Sequence, residues 1–379
     1  MGVPKPLDEI IIARPNDITP SSEDMKVIGV CNPGGTLFKK DNEEKTYLLL
    51  RIIEANKEQF PGHVAFPRAI PNNDSEYKVI WEWERLEKDA VKTSSSSLMT
   101  TGLENRARLT TISHLRLAES EDGINFIIDK KPTFFPIKKY EEFGIEDARI
   151  TKFEEGIPID NQKYNYLISY VALSEEHDIC TAFALTNDFK SFIRIPKEDP
   201  KIIFYSPSKD VVLFPKKFVN SRTKKEDYLA LTRPQGSGFM IPSVYLSYSN
   251  DLIQWGDNIP LIRGSEKGHV GAGPPPIELD EGWLIIYHQH RHYNNTKEYI
   301  GTAILTDKSD PSRILKRADE FLKSHLEIGV EPVVKNVTFP SAATLKNDKI
   351  FIYSGEEDAV TAVHVYNLKD LMDFLKPIN

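Results

Sequence analysis

Two carboxylates and an arginine interrupt an apolar segment near the middle of the chain. Glu146, Asp147 and Arg149 lie in the heptapeptide GIEDARI, flanked by isoleucines. Carboxylates are costly to bury among apolar side chains unless they have a partner or a role. The segment is therefore either an Arg–carboxylate pair that closes a structural unit or a general acid whose ionisation is tuned by its charged neighbours. Gly144 before the pair and a strong strand pattern after it favour a strand that lines a central funnel, and hence the general acid.

Histidines follow a loop that is rich in glycine and proline. His269 opens the segment HVGAGPPPI, and the later segment GWLIIYHQHRH contains His288, His290 and His292. Stiff loops of this kind often line ligand sites. Alternate residues of a strand share one face, so the last three histidines could ligate a metal ion. Because no carboxylate lies at a spacing that would complete a metal site, an anion or a sugar is the favoured ligand of His288.

Basic residues recur at the ends of strand-like segments, namely Arg51, Arg116, Lys209 and Arg233. Each one alone is most simply a solvated surface charge. If the strands converge, several of these residues could hold one anion in spite of the acidic net charge of the chain.

Short runs of β-branched and aromatic residues, bounded by turn-forming residues, predict an all-β protein. The clearest runs are Thr46–Ile53, Ile112–Ala118, Tyr166–Leu173, Ile179–Leu185, Tyr228–Thr232, Val244–Tyr248, Trp283–His288, Tyr299–Leu305 and Lys349–Tyr353. The best helical pattern lies at the end of the chain, at about residues 367–377, where LKDLMDFL predicts a short closing helix.

A weak repeat organises these strands. A hydroxyl residue, any residue and an aspartate recur from Ser120, Thr186 and Ser249, each with an aromatic residue four positions after the aspartate, and a degenerate copy starts at Thr306. The motif itself predicts a polar turn at an outer edge. The intervals of 66, 63 and 57 residues, with about four strands each, predict five or six propeller blades in one domain that spans residues 1–379.

An insertion at about residues 54–108 interrupts this pattern. It contains the charged stretch Glu82–Lys92 and the serine run Ser94–Ser97. The charged stretch predicts a short solvated helix, and the serines predict a loop.

Composition excludes several classes of protein. The 379 residues include 48 Lys and Arg against 56 Asp and Glu, and the net charge of −8 disfavours nucleic acid or an anionic membrane as partner. Cys31 and Cys180 are too few for a disulfide scaffold and predict two reduced core thiols. An export signal, a membrane-spanning run and the usual nucleotide-binding and serine-hydrolase motifs are missing. These features predict a cytoplasmic globular protein.

Several of these segments together resemble glycoside hydrolase family 130, the mannoside phosphorylases and related β-mannosidases. The segments are VIGVCNPG at 27–34, GIEDARI at 144–150, VLFPKK at 212–217, GAGPPPI at 271–277 with GWLIIYH at 282–288, FPSAA at 339–343 and YSGEED at 353–358. The resemblance spans roughly residues 27–365 and is poorest in the insertion.

The resemblance implies a five-bladed β-propeller with a short C-terminal helix that cleaves β-mannosidic bonds with inversion. Asp147 would be the proton donor and would act through a hydroxyl of the bound mannose. In a phosphorylase, inorganic phosphate attacks the anomeric carbon from the opposite face and gives α-mannose 1-phosphate. No metal or organic cofactor is implied, and inorganic phosphate is the co-substrate.

Motif positions assign further residues by resemblance. Arg233 and His288 match phosphate contacts, and Lys209 could supply another positive group there. Substrate-binding positions next to the acid or in matching motifs are Asn32, Arg51, Glu146, Arg149 and Asp358.

The chain also departs from the family pattern. His269 stands where phosphorylases usually carry lysine, so the charge of this phosphate-binding position is expected to depend on pH near neutrality. Thr232 replaces a histidine, and Ala148 replaces the proline beside the acid.

Three alternatives remain open from the sequence. A β-mannosidase of the same fold would use water, with Glu356, Glu357 or Asp210 as base and about 6.5–9.5 Å between its two carboxyl groups. A non-catalytic propeller would bind manno-oligosaccharides without turnover. A metal-dependent enzyme centred on His288, His290 and His292 is the most distant alternative. The sequence leaves the linkage, the acceptor sugar and the oligomeric state undetermined.

Overall fold

Five antiparallel sheets form the body of a β-propeller, as the sequence predicts. Four of them have four strands and the fifth has six. The inner strands of neighbouring sheets contact one another. The computed structural model describes residues 2–40, 43–73, 76–85, 91–93, 98–101, 106–195, 208–235, 241–266, 268–293, 296–318 and 320–378.

The blades follow the chain in order, each from its innermost strand outward. Blade 1 comprises Met25–Lys40, Glu43–Asn56, Thr111–Ser120 and Ile127–Ile128. Blade 2 comprises Ile145–Ile159, Gln162–Ser174, Asp178–Thr186 and Ile193–Ile195. Blade 3 comprises Ser208–Val219, Glu226–Pro234, Val244–Ser249 and Gly256–Ile262. Blade 4 comprises Val270–Ala272, Gly282–Tyr293, Thr296–Thr306 and Ile314–Arg317, with Ile277–Leu279 and Lys376–Pro377 as additional short strands.

Blade 5 joins the two ends of the chain. Its strands Thr338–Lys346, Lys349–Glu356 and Val360–Asn367 are completed on the outside by the N-terminal strand Asp8–Ala13. The ring is thus closed by hydrogen bonds between residues that are far apart in sequence. The predicted C-terminal helix follows as Leu368–Phe374, with the Asn367 side chain accepting a hydrogen bond from the Asp370 amide as its N-cap.

The repeated motif marks the same connection in successive blades, between the third strand and the outermost strand. In blade 1, Asp122 accepts hydrogen bonds from the amides of Ile124 and Asn125, while the Ser120 hydroxyl accepts from Gly123. Asp188 and Asp251 make the equivalent turns in blades 2 and 3. The prediction of polar turns at the outer edge of blades is therefore confirmed.

The insertion begins after Asn56 and contains a hairpin, His63–Asn73 with Glu76–Arg85, and three short strands, Val91–Thr93, Leu98–Thr101 and Arg106–Leu109. The prediction of a helix over Glu82–Lys92 is wrong for the described part of that stretch, because Glu82–Arg85 pairs with the first strand of the hairpin and Val91–Thr93 is also a strand. The predicted serine loop lies outside the described residues.

Apolar residues of neighbouring blades pack face to face. Between blades 3 and 4, Trp283 is fully buried against the rings of Phe214 and Phe218, and burial of such aromatic rings is a major source of core stability. Cys31 and Cys180 are both buried and form no disulfide bond with each other, as predicted. Within the described part of the chain, none of the helices has the length and apolar character needed to cross a bilayer.

Candidate active site

The inner strands of blades 1, 2 and 3 share a backbone feature that directs polar side chains to the centre. Asn32, Asp147 and Asp210 have positive φ angles of 45°, 50° and 53°, and each lies where the strand pairing shifts register at a bulge. Asparagine and aspartate tolerate this conformation better than most residues. A bulge turns a side chain out of the alternation of the strand, and in each blade the re-aimed side chain reaches the central cavity.

The central cavity has a volume of about 240 Å³ and is lined from all five blades. Its lining residues are Asn32, Arg51, Glu146, Asp147, Lys209, Asp210, Arg233, His269, His288, Tyr299, Val334, Val337, Phe339 and Asp358. Nine of the ten site residues predicted from the sequence are in this group, and Arg149 is not.

Asp147 lies at the centre of a hydrogen-bonded cluster. Its Oδ1 accepts hydrogen bonds of 2.9 Å from both Asn32 Nδ2 and Arg51 Nη1. Arg51 also donates to Glu146 Oε1 at 2.5 Å and to Ser113 Oγ at 3.1 Å. One arginine thus bridges both carboxylates of the GIEDARI segment, so their closeness does not require a proton between them.

The electrostatic surroundings hold Asp147 in its ionised form. Burial opposes ionisation, but the positive charges of Arg51, Arg149 and Lys209 outweigh it and lower the pKa of Asp147 to about 2. This carboxylate therefore carries no proton at neutral pH.

Arg149 lies directly behind the cavity wall and is 1% exposed. Its Nη1 donates to the Asp147 carbonyl at 2.9 Å, and its Nε donates to the Gly273 carbonyl at 2.8 Å. Its guanidinium also lies 5.3 Å from the centre of the Phe339 ring. Arg149 therefore ties the backbone of the proposed acid to blade 4.

Basic and imidazole groups gather around Asp210 on another wall of the cavity. Arg233 Nε lies 2.7 Å from Asp210 Oδ2, and His288 Nε2 lies 3.5 Å from the same oxygen. A Cβ atom at Gly271 would collide with both Asp210 and His288. Glycine is needed at this position because the two side chains pack directly on its backbone.

His269 lies at the edge of the same group. Its ring stacks on His290 with centroids 4.6 Å apart, and its Nε2 is 3.4 Å from the Tyr299 hydroxyl. Burial, reinforced by the charge of Arg233 and by His290, lowers the pKa of His269 to about 4. His269 is therefore neutral near pH 7, and the expectation that its charge changes near neutrality is wrong.

Asp358 enters the cavity from the turn between the second and third strands of blade 5, with a φ of 50°. Burial, together with the negative charges of Asp147 and Glu146, raises the pKa of Asp358 to about 6 in spite of Arg51. The cavity therefore holds two carboxyl groups whose proton affinities differ widely, Asp147 and Asp358.

The residues named for the alternative functions, a hydrolase and a metal-dependent enzyme, do not all lie in the cavity. Among the candidate bases, Asp210 lines the cavity, whereas Glu356 accepts hydrogen bonds from Thr338 and Ser354, and Glu357 accepts from the Asn336 amide. The described residues contain no group of three His, Cys, Asp or Glu side chains arranged to hold a metal ion. The side chain of His292 lies outside the described part of the structure.

Four lining residues escaped the sequence analysis, namely Tyr299, Val334, Val337 and Phe339. Tyr299 pairs in register with His290 across the blade 4 hairpin, so the pairing of the two strands would have indicated it. The segment FPSAA contains Phe339, but nothing in the segment itself shows that the ring lies 4.4 Å from His288.

The fold and the site define a five-bladed propeller enzyme whose central cavity combines carboxylates with a basic wall. The family model for glycoside hydrolase family 130, described as beta-1,4-mannooligosaccharide phosphorylase, matches residues 103–377. The chain belongs to glycoside hydrolase family 130.

Similar proteins include a beta-1,2-mannobiose phosphorylase from Listeria innocua, 30% identical over 94% of this chain and 93% of that protein. A 1,2-beta-oligomannan phosphorylase from Thermoanaerobacter sp. is 31% identical over 69% of this chain and 80% of its own length. The solved structure of the Listeria innocua beta-1,2-mannobiose phosphorylase in complex with beta-1,2-mannobiose matches with a TM-score of 0.81 and 28% identity, covering 97% of this chain and 99% of that one.

Proposed function

We propose that this protein is an inverting β-mannoside phosphorylase that converts a β-mannoside and inorganic phosphate into α-mannose 1-phosphate and a shortened sugar. The observation that carries the proposal is one cavity in which Asp147 lies beside a sugar-sized space and Arg233 and Lys209 form a basic wall next to His288. Family membership and the phosphorylases among its relatives support the same conclusion.

The reaction balances without a cofactor. A phosphate oxygen forms a bond to the anomeric carbon as the bond from that carbon to the leaving sugar oxygen breaks. The leaving oxygen takes a proton that originates at Asp147 and passes through a hydroxyl of the bound mannose. Hydrogen phosphate loses one proton on forming the ester, and that proton restores Asp147.

Asp147 must gain a proton before it can act as an acid. A bound phosphate dianion offsets the positive charges of Arg149 and Lys209, which lower the pKa of Asp147. Binding of phosphate should therefore raise this pKa towards the range in which a carboxyl group donates a proton efficiently. In this way co-substrate binding would prepare the acid.

A hydrolase with Asp210 as base is the second candidate, because Asp210 lines the cavity. Burial opposes ionisation of Asp210, but Arg233, His288 and Arg149 lower its pKa overall. A carboxylate with a lowered pKa is a weak general base. The electrostatics of Asp210 therefore favour attack by phosphate over attack by water that Asp210 would activate.

The proposed substrate is a β-1,2-linked mannobiose or short oligomannoside. Its support is the pair of relatives named for β-1,2 linkages, one of which aligns with almost the whole chain. The β-1,4 linkage named for the family model is the competing specificity.

Turnover of β-1,2- and β-1,4-mannobiose with and without phosphate tests the function. Strict phosphate dependence, with α-mannose 1-phosphate identified by ³¹P NMR, would establish the phosphorylase. Mannose release that is indifferent to phosphate would establish a hydrolase instead. Binding of the sugars without either product would identify a non-catalytic propeller, and loss of activity with a chelator would contradict a metal-free mechanism.

A further inference from the structure

A carboxylate lies within the basic wall that is proposed to hold phosphate. Asp210 is 6% exposed, and its Oδ1 lies 3.8 Å from Arg149 Nη2 while its Oδ2 lies 2.7 Å from Arg233 Nε. The proposed phosphorolysis assigns no step to this group. An anion that binds to Arg233 must therefore approach a second anion, and this requires a physical explanation.

Asp210 retains capacity to accept a hydrogen bond. Its Oδ2 is buried and makes no aligned hydrogen bond with any described residue, and the same holds for Arg233 Nε although the two atoms are close. Both ring nitrogens of the neighbouring His288 are likewise buried without a hydrogen bond to the described residues. Buried polar atoms are normally paired, so these atoms retain hydrogen-bonding capacity that a ligand could use.

The carboxylate can act only as an acceptor. Burial opposes its ionisation, but Arg233, His288 and Arg149 lower the pKa of Asp210, so it is ionised at neutral pH. An ionised carboxylate has no proton to donate. A bound oxyanion without a proton would repel the Asp210 carboxylate and leave it without a hydrogen bond. An oxyanion with one O–H group could donate a hydrogen bond to this carboxylate.

We propose that Asp210 accepts a hydrogen bond from the P–OH group of bound hydrogen phosphate and makes the site selective for a protonated tetrahedral oxyanion over sulfate. The inference rests on the proposed function, because it takes the wall around Arg233 as the phosphate site. Hydrogen phosphate and sulfate have the same charge and nearly the same shape near neutral pH, and they differ in that one proton. Gly271 supports the arrangement, since a side chain there would displace Asp210 from His288.

Titration calorimetry at pH 7 with phosphate, arsenate and sulfate tests the inference on the unmodified protein. Arsenate, which keeps a proton, is expected to bind about as well as phosphate, and sulfate at least about tenfold more weakly. In Asp210→Asn, whose amide can donate to sulfate, the affinity for sulfate should rise at least about tenfold and the preference for phosphate should nearly disappear. Asp373→Asn, on the exposed face of the C-terminal helix, is the matched control and should keep the preference of the unmodified protein.

The outcomes distinguish failure of the inference from failure of the proposed function. Equal binding of sulfate and phosphate by the unmodified protein would overturn the inference while leaving the phosphorylase intact. An unchanged preference in a folded Asp210→Asn variant would do the same. If that variant fails to fold, the comparison of arsenate with sulfate on the unmodified protein still decides the question. Phosphate-independent mannose release, with no oxyanion bound, would overturn the proposed function itself.

Discussion

Asn32 and Asp147 lie on neighbouring blades and are joined by a 2.9 Å hydrogen bond from Nδ2 to Oδ1. Both occupy left-handed backbone at a bulge of an inner strand. Gly355 of blade 5 packs against the Asn32 side chain, and a Cβ atom at this position would collide with Asn32 Oδ1. Three blades therefore position one side chain that holds the proposed acid.

Replacement of Asp147 by asparagine should remove most turnover. The variant keeps an oxygen for Asn32 and Arg51 but loses the proton that the leaving sugar requires, and loss of a general acid typically costs about 10²–10⁴-fold in rate. Steady-state kcat with β-mannobiose and phosphate measures the loss. Asp373→Asn serves as a control for removal of a carboxylate, and full activity in a folded Asp147→Asn protein would refute the assignment.

Replacement of Arg233 by glutamine should weaken phosphate binding selectively. The variant removes the charge that faces the proposed anion position, while the groups around Asp147 stay in place. The KM for phosphate is expected to rise about tenfold or more, with a much smaller change in the KM for mannoside, and Arg233→Lys should recover only part of the loss. Arg222→Gln, an exposed change in the same blade, is the control. Unchanged phosphate kinetics would remove Arg233 from the site.

Replacement of His269 by lysine should introduce the positive charge that related phosphorylases usually carry at this position. The pKa of His269 is lowered to about 4, so the imidazole is neutral from pH 6 to 8, whereas a lysine would be charged there. The KM for phosphate should therefore fall across this range. Phosphate kinetics at pH 6, 7 and 8 measure the effect, and a KM that stays the same or increases would show that His269 does not face the phosphate.

Asp358 should give the activity a dependence on acid pH. Its pKa is raised to about 6, so below that pH the group is protonated and loses its capacity to accept two hydrogen bonds from sugar hydroxyls as a carboxylate. The kcat/KM for mannoside should fall as the pH drops below 6. Asp358→Asn should be less active overall, and its pH profile should lack this acidic limb. An identical limb in both proteins would assign it to another group.

Asp358 should also lower stability at neutral pH. A carboxyl group whose pKa is higher in the folded protein than its usual 3.8 destabilises the fold when it must ionise, so this cost grows as the pH rises from about 3.8 and is fully present above about 6. Asp358→Asn should therefore raise the Tm at pH 7 more than at pH 5. A Tm difference that is the same at both pH values would contradict this explanation.

His364 should make closure of the ring sensitive to alkaline pH. Its Nδ1 lies 2.9 Å from Glu9 Oε1 on the N-terminal strand, and its Nε2 lies 3.1 Å from Glu356 Oε1. Burial opposes the charge, but hydrogen bonds to Glu356 and Glu9 raise the pKa of His364 to about 9 from its usual 6.5.

The stability contributed by His364 is therefore fully present below pH 6.5 and is lost as the pH rises through 9. The Tm should fall between pH 7 and pH 9.5, and His364→Gln should have a lower Tm at pH 7 with a flatter dependence over that range. Equal slopes for the two proteins would show that other groups cause the alkaline loss.

The middle strands of the blades could be predicted because they are buried on both faces and appear as continuous apolar runs, as in Tyr166–Leu173 and Trp283–His288. The inner strands were harder to predict. Met25–Lys40 contains glycine, proline and lysine, and Ser208–Val219 contains proline and charged residues. Bulges in both strands break the alternation on which strand prediction depends. The residues that carry the site lie at these irregular positions.

The sequence by itself determined the repeat, the number of blades through the family resemblance, and the identity of nine residues that line the cavity. The tertiary structure decided what those residues can do. It placed Arg149 behind the wall, made His269 neutral through burial, and surrounded Asp210 with basic groups from blades 2, 3 and 4. Proton affinity depends on desolvation and on charges a few ångströms away, and here those charges come from segments that are distant in sequence.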